Sequence, residues 1–465
     1  MPFQSKKIVI FLYLCFGSSY TVAENLSDIY QHVLKKDPVL NEQQAIYNVN
    51  FEQEKISHAQ LLPELILSGE YNESAFEQQG SRILGNNSSV SSLGNIDNNI
   101  TAYRLSLTQP LFDMPRWFLF KQSVSLNAQA KANFAAEQQD FMLRLANAYF
   151  DVLRAQKELE TLQAEENAVK RQLQQIQQRY DVGLAPLTDV QEARAIFDNA
   201  IVNTLETNIT LNISFDALEV ITGQSYSQLA GLMPDFTTEM PSPLNREAWI
   251  TFALDNNYRL EAANLGLEAA IQLVNSKKAQ HLPKLSGNIT YLDTNQQGIE
   301  FGSEFTNQQD GTVASIKLTL PLFTGGRISA ERRRSYQQYI QAKEKSIFIQ
   351  RNTIQEARSH YLHVITNIAR VKARQQNIIS AKSGLNATEA GYKLGTRNIV
   401  DVINAQQKWF QAKRDLANAR FDYILSSLAL KQIAGRLNPN DINQLSRYLD
   451  DTLIVKRSYL KTTEY

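Results

Sequence analysis

Cysteine is all but missing. The 465-residue chain has one, Cys15, close to the amino terminus. Past that point disulfides and thiol chemistry are excluded. Excess charge is missing as well: 47 basic residues face 47 acidic ones, so the formal net charge is zero. A nucleic-acid binder would usually carry a basic excess, and that class is set aside. Outside the amino terminus no run reaches the ~18 apolar residues of a membrane helix. Proline and glycine are absent from two very long stretches, Arg116 to Tyr180 and Ile328 to Ser383. Each stretch predicts one unbroken helix, and at ~1.5 Å per residue the first would be roughly 100 Å long. That is far longer than a globular core needs, so a coiled-coil spacer is one reading.

Met1 to Ala23 is different in kind. Lys6 and Lys7 precede the apolar run Ile8 to Phe16, and Thr21-Val22-Ala23 follows. This is the pattern of a secretory signal cleaved after Ala23. Tyr13 and Leu14 are too bulky for Cys15 to be a lipid-anchoring cysteine.

What is present is a duplication. Tyr180-Asp181-Val182-Gly183-Leu184 and Thr188-Asp189-Val190 match Tyr392-Lys393-Leu394-Gly395-Thr396 and Val400-Asp401-Val402 at one constant offset. The same offset links Tyr149 to Tyr361, Ala193 to Ala405, Leu218 to Leu430 and Gly223 to Gly435. A repeat of domain size predicts a tandem duplication rather than a solenoid. Into the first turn runs a seam of Val152, Ala155, Leu159, Leu162, Val169, Leu173, Ile176 and Tyr180, interrupted by Glu166. Steps of three and four are coiled-coil spacing. Val364, Val371, Ile378, Leu385 and Tyr392 repeat it, and Val190, Ala193, Phe197 and Val402, Ala405, Trp409 lead out of the turns. Each turn therefore joins two antiparallel helices, with Gly183 or Gly395 as the stop.

Ahead of each hairpin the period changes to two. Leu65, Leu67, Gly69 and Tyr71 alternate with Ile66, Ser68, Glu70 and Asn72, and Thr101, Tyr103, Leu105 and Leu107 alternate with Ala102, Arg104, Ser106 and Thr108. These are strands with one apolar face. Gly80 to Asn99 between them reads as a polar loop. The second half predicts strands at Leu285–Leu292 and Val313–Leu320 around a loop, Asp293 to Gly311. Pro110-Leu111-Phe112 and Pro321-Leu322-Phe323 mark the passage from strand to helix. The divisions are a signal peptide (1–23), a first repeat (24–236, strands within 63–112, hairpin 115–222), a second repeat (237–436, strands within 283–323, hairpin 326–436) and a polar tail (437–465). Gly223 to Pro243 reads as a linker.

Four strands of about ten residues suit a transmembrane barrel but cannot close one, and an open edge in lipid is forbidden. Three copies would supply twelve strands. Two soluble hairpins packed on the helices are the other reading.

At this point the sequence resembles the TolC family of outer-membrane efflux ducts. The duplicated strand-loop-strand units, the paired Pro-Leu-Phe exits and the two turns carry the likeness, and Gly395-Thr396-Arg397-Asn398-Ile399-Val400-Asp401-Val402 is especially close to the TolC branch. The resemblance implies an α+β membrane protein: a homotrimer whose twelve-stranded β-barrel, four strands per chain, sits in outer-membrane lipid and continues into a helical coiled-coil barrel across the periplasm. It implies an adaptor docked at the tips Val182, Gly183, Leu184, Leu394, Gly395 and Thr396, and an inner-membrane pump of RND, ABC or MFS type. It implies a latch in which Tyr392 reaches Asp189, and Arg397 reaches Gln172 and carboxylates of neighbouring helices. It implies a gate and selectivity ring of Asp401, with Asn404 where close relatives carry a second acid. No cofactor, metal or nucleic acid is expected. His360 and His363 read as surface residues and Arg332-Arg333-Arg334 as a solvated face. No nucleophile, base and orienting group come together, so no enzyme is expected. A periplasmic coiled-coil adaptor or a structural coiled coil remains the alternative.

Overall fold

A computed structural model describes residues 23–84, 88–300 and 303–457; the expected signal peptide, apart from Ala23, lies outside them. The elements run in chain order as α1 (Leu26–Val33), α2 (Pro38–Ala59), β1 (Glu64–Leu84), β2 (Ser88–Phe112), α3 (Met114–Asp181) and α4 (Leu187–Thr222). They continue as β3 (Gln228–Leu232), α5 (Arg246–Asn256), α6 (Tyr258–Ala279), β4 (Lys284–Glu300) and β5 (Ser303–Thr319). The chain closes with α7 (Arg327–Lys393), α8 (Ile399–Ile433), α9 (Pro439–Ser446) and β6 (Leu449–Lys456). Two short helices, a hairpin of strands and a long helical hairpin thus occur twice.

The starts of the shorter helices show the duplication at the level of single bonds. Asp37 caps α2, its carboxylate accepting from the Leu40 amide at 2.6 Å. Asn257 does the same for α6, accepting from the Leu260 amide at 3.0 Å. Each satisfies an amide that the first helical turn leaves without a partner. Both caps are buried and therefore need further bonds. Arg144 reaches Asp37 at 3.2 Å, and the Asn257 amide donates to the Ile433 carbonyl at 3.0 Å.

The strands form one antiparallel sheet in the order β1-β2-β4-β5, leaving β1 and β5 as edges. Register confirms one apolar row: Leu65 pairs with Leu107, Leu67 with Leu105 and Tyr71 with Thr101. Across the next ladder Leu105 meets Tyr291 and Leu107 meets Ile289. Leu285 meets Leu318 and Gly287 meets Ile316 beyond that. The opposite face carries Glu70, Arg104 and Lys317 among Ser, Thr and Asn, with Ile66, Ile100, Leu292 and Val313 among its apolar members.

The strands are much longer than expected. β1 has 21 residues and β2 has 25, and β4 and β5 have 17 each. The sequences expected as loops, Gly80 to Asn99 and Asp293 to Gly311, run mostly as paired strand. The reason is that ladder bonds are made by backbone. Once the apolar part has set the register, a polar hairpin continues it without any period-two signal. At ~3.3 Å per residue β1 spans roughly 70 Å, well beyond the ~25 Å apolar band of a barrel.

α3, of 68 residues, and α7, of 67, confirm the two breaker-free stretches. Among the described residues no helix is long and apolar enough to cross a membrane. The helices pack through two cores. The tip core holds Val169, Ile176, Val190, Leu385, Val402 and Ile403. The larger core, at the other end of the hairpins, gathers Phe141, Tyr149, Phe150, Phe215 and Leu218 with the chain's shorter elements. Between the cores the seam is polar. Glu165, rather than Glu166, is the buried acid there, and Arg414 of α8 meets it at 2.8 Å. Asp422 of α8 holds Arg154 of α3 at 2.9 Å and Arg370 of α7 at 3.3 Å.

One expectation is corrected here, and one open segment is filled in. The segment Gly223 to Pro243 is not a plain linker, and the polar tail carries regular structure between residues 439 and 456. β3 lies within the first and pairs antiparallel with β6 in the second, while α9 packs Ile442 and Leu445 into the large core. Tyr149 ties this belt to α3: its buried hydroxyl donates to the Ala230 carbonyl at 2.6 Å, and burial raises its pKa well above the ordinary value.

Candidate functional site

Both hairpin tips close in the same way. The Gly183 backbone has φ 77° and the Gly395 backbone φ 77°, a conformation that only glycine adopts freely. The Leu184 amide donates to the Arg179 carbonyl at 2.7 Å, and the Thr396 amide to the Gly391 carbonyl at 2.9 Å. These bonds satisfy carbonyls that the helix end leaves open. No atom lies within 4 Å of where a Cβ would stand on either glycine, so the constraint is conformation and not space. Val182, Leu184 and Leu394 are exposed around them, Leu394 at 80%. Thr396 also donates through its hydroxyl to the Gly391 carbonyl at 3.0 Å.

Asp401 opens α8. Asn398 accepts from the Asp401 amide at 2.7 Å, and Asp401 accepts from the Asn398 amide at 3.4 Å, a capping box. Arg397 stands 3.9 Å from the same carboxylate. Asn404 lies one turn further along and is exposed. Asp189 occupies the matching first turn of α4 and is half-buried, as is Gln172 on α3.

The latch contacts differ from those the resemblance implied. The Tyr392 hydroxyl accepts from Arg179 at 2.9 Å, and the guanidinium also stacks 5.2 Å from the ring centre. Arg397 turns to Asp401. Among the described residues, no hydrogen bond or ion pair joins Tyr392 to Asp189 or Arg397 to Gln172. The physical reason is symmetry within the chain. Arg179 and Tyr392 both sit in the last turn before a tip, so the two hairpin ends meet at the same level. Sequence reasoning missed this pair, although Arg179 stands directly before Tyr180, the repeat partner of Tyr392.

His360 and His363 have ring centres 6.4 Å apart, and burial pushes the His360 pKa down. Among the described residues no group of three or more His, Cys, Asp or Glu is placed to hold a metal ion.

The description "Outer membrane efflux protein" matches the chain over residues 29–224 and again over 249–436. The chain belongs to that family. It is similar to the outer membrane protein TolC of Vibrio cholerae, 34% identical over 94% of this chain and 97% of the relative. It is also similar to the proteases secretion protein PrtF of Dickeya chrysanthemi, 25% identical over 98% and 97%. Among solved structures the outer membrane protein VceC of Vibrio cholerae superposes with a TM-score of 0.73, at 20% identity, over 88% of this chain and 96% of that one. The fold is therefore that of an outer-membrane efflux protein. The chain is an outer-membrane protein, with its helical part in the periplasm. With that, the adaptor and the structural coiled coil give way as readings of the chain.

Proposed function

We propose that this protein is the outer-membrane channel of a tripartite efflux or type I secretion system, a passive trimeric duct closed at its periplasmic tip. One observation carries the reading. A sheet with two unpaired edges, β1 and β5, continues into two hairpins whose first helices have 68 and 67 residues. Lipid does not tolerate an open edge, so β5 of one copy is taken to pair with β1 of the next until three copies close the barrel. An apolar stripe on α4 supports closure at the helical level: Val202, Leu205, Ile209 and Ile213 are all exposed in the single chain, at steps that suit a coiled-coil neighbour.

In this reading Met1 to Ala23 is removed on export. The exposed tip residues Val182, Gly183, Leu184, Leu394, Gly395 and Thr396 receive a periplasmic adaptor, which links the duct to an inner-membrane pump of the RND, ABC or MFS type. Tyr392, Arg397, Asp189 and Gln172 belong to the latch, joined by Arg179. The Asp401 carboxylates of three chains form a ring at the narrow end, with Asn404 beside it. The duct performs no chemistry; the pump supplies the energy.

The test is cell fractionation combined with cross-linking. The protein should sediment with outer-membrane lipid, run as a trimer after cross-linking and give ion-conducting channels in planar bilayers. A monomer in the soluble periplasmic fraction would overturn the reading.

A further inference from the structure

The face of α8 that carries Asp401 also forms one wall of an open groove of about 600 Å³ against α7. Five charged side chains line it: Arg374 and, from the second tip onward, Arg397, Asp401, Lys408 and Asp415. Four of them are paired. Arg397 faces Asp401 at 3.9 Å, and Arg374 meets Asp415 at 2.9 Å. Lys408 is exposed, and among the described residues no carboxylate pairs with it. Its neighbours in the groove, Asn404 and Gln411, are neutral. The groove therefore carries one cation more than it has carboxylates.

Lys408 follows Asp401 by one heptad, so the two project from the same side of α8. On its buried side α8 brings Val402 and Trp409 into the tip core with Leu385 of α7 and Val169 of α3, Lys382 of α7 lies over the Trp409 ring, and the Arg414–Glu165 pair ties α8 to α3. Two flanks of α8 remain, and Lys413 and Arg420 occupy the other, in a separate groove against α3. Whichever way Asp401 points, Lys408 points too.

We propose that Lys408 forms a second ring in the duct, a cationic one that binds multivalent oxyanions above the acidic ring. The inference rests on the reading that Asp401 faces the axis. Seven residues of helix separate the rings by about 10 Å. The Debye length in ~0.15 M salt is about 8 Å, so the carboxylates do not cancel the ammonium groups across that gap. Three ammonium groups brought together in a low-dielectric constriction focus positive potential. The neutral amides of Asn404 and Gln411 add donors on the same face. A duct with opposed rings passes monovalent ions of both signs and holds a polyvalent anion at the upper ring.

Planar-bilayer recording with inorganic pyrophosphate as the probe tests this. Pyrophosphate should reduce wild-type current, Lys408→Gln should weaken that block at least tenfold, and Lys408→Arg should keep it. Lys408→Gln should also shift the reversal potential toward cation preference, whereas Asp401→Ala should shift it toward anions. Equal block in wild type and Lys408→Gln overturns the proposal. To separate that failure from failure of the underlying reading, Asp401→Cys and Lys408→Cys are treated with a charged thiol reagent, since Cys15 is the only native cysteine. If labelling Asp401→Cys changes conductance while block survives in Lys408→Gln, only the second ring is wrong. If neither labelled cysteine changes conductance, the axial placement falls and the second ring with it.

Discussion

At the scale of single residues, each tip turn depends on one backbone angle. A side chain on Gly395 would meet no atom, yet φ of 77° disfavours it. The left-handed conformation costs an L-residue about 1–2 kcal/mol, least for Asn. Adaptor cross-linking should then fall in the order Gly, Asn, Ala, Val across substitutions at 395, and Gly395→Pro should abolish it. Trimer yield should hold throughout, because the tip core is built from the helices flanking the turn and does not include Gly395. Full cross-linking by Gly395→Pro would mean that the glycine is a helix stop and nothing more.

Glu331 works at the opposite end of α7. Lys277 and Arg327 each bond its carboxylate at 2.9 Å, with Gln280 at 3.2 Å. The Lys277 bond first, then those of Arg327 and Gln280, hold its pKa down to about 2 from the ordinary 4.5. A carboxyl depressed in the folded state contributes stability above its unfolded pKa and loses it as pH falls through the folded one. Thermal melts of the detergent-solubilised protein should therefore lose part of their Tm between pH 4.5 and pH 2. Glu331→Gln should lower Tm at neutral pH and flatten the decline in that window. Parallel Tm profiles for the two proteins would remove Glu331 as an acid-sensitive brace between α6 and α7.

At the scale of elements, the strand register separates two adjacent positions. Leu105 stands in the apolar row between Leu67 and Tyr291, while Ser106 stands in the polar row between Ile66 and Thr290. A lysine or arginine on the lipid face costs ~2–4 kcal/mol near the bilayer midplane and little in the lumen. Leu105→Arg should cut trimer insertion in the outer membrane severely, whereas Ser106→Arg should assemble normally. Equal yields would mean that the faces are reversed. This register was legible in the sequence because alternation of Leu and Tyr with Ser, Asn and Thr states it directly. So were the helical hairpins, whose heptads and breaker-free runs need no tertiary information. The strand extensions were not legible, since a polar ladder leaves no pattern in side chains. β3 and β6 were not legible either, because their pairing joins segments far apart in the chain: Leu229 and Val455 stand opposite each other in the ladder, and both are buried in the large core. At the site, the glycine stops and the shared face of Asp401 and Lys408 could be read from spacing. The choice of Arg179 as the partner of Tyr392 could not, because it depends on the relative height of two hairpins.

At the scale of the whole molecule, the proposed trimer must hold twelve helices closed at one end without sealing them. The tip core is apolar and small, and beyond it the hairpins are joined mainly by exposed polar contacts. The Arg179–Tyr392 hydrogen bond is one, at 2.9 Å, and it ties the α3–α4 hairpin to the α7–α8 hairpin at their ends. A hydrogen bond to a charged group is worth about 1.5–3 kcal/mol, and at an exposed position the lower end applies. Repeated in three chains, that bias is about 4–5 kcal/mol, enough to keep a two-state tip closed nearly all the time yet small enough for a docked adaptor to reverse. Arg397 adds a second restraint by holding Asp401 back toward its own chain. Tyr392→Phe keeps the ring over Arg179 and removes only the hydroxyl, so it should raise resting conductance modestly. Arg179→Ala removes both the bond and the stacking and should raise it more. Arg397→Ser should add to either, since it acts on a different contact, and Tyr392→Phe added to Arg179→Ala should change nothing further, since both act on the same one. Single-channel recording with adaptor absent distinguishes these outcomes. If Arg179→Ala leaves the resting conductance at the wild-type level, the bond between the hairpins does not hold the tip, and closure must come from contacts between chains.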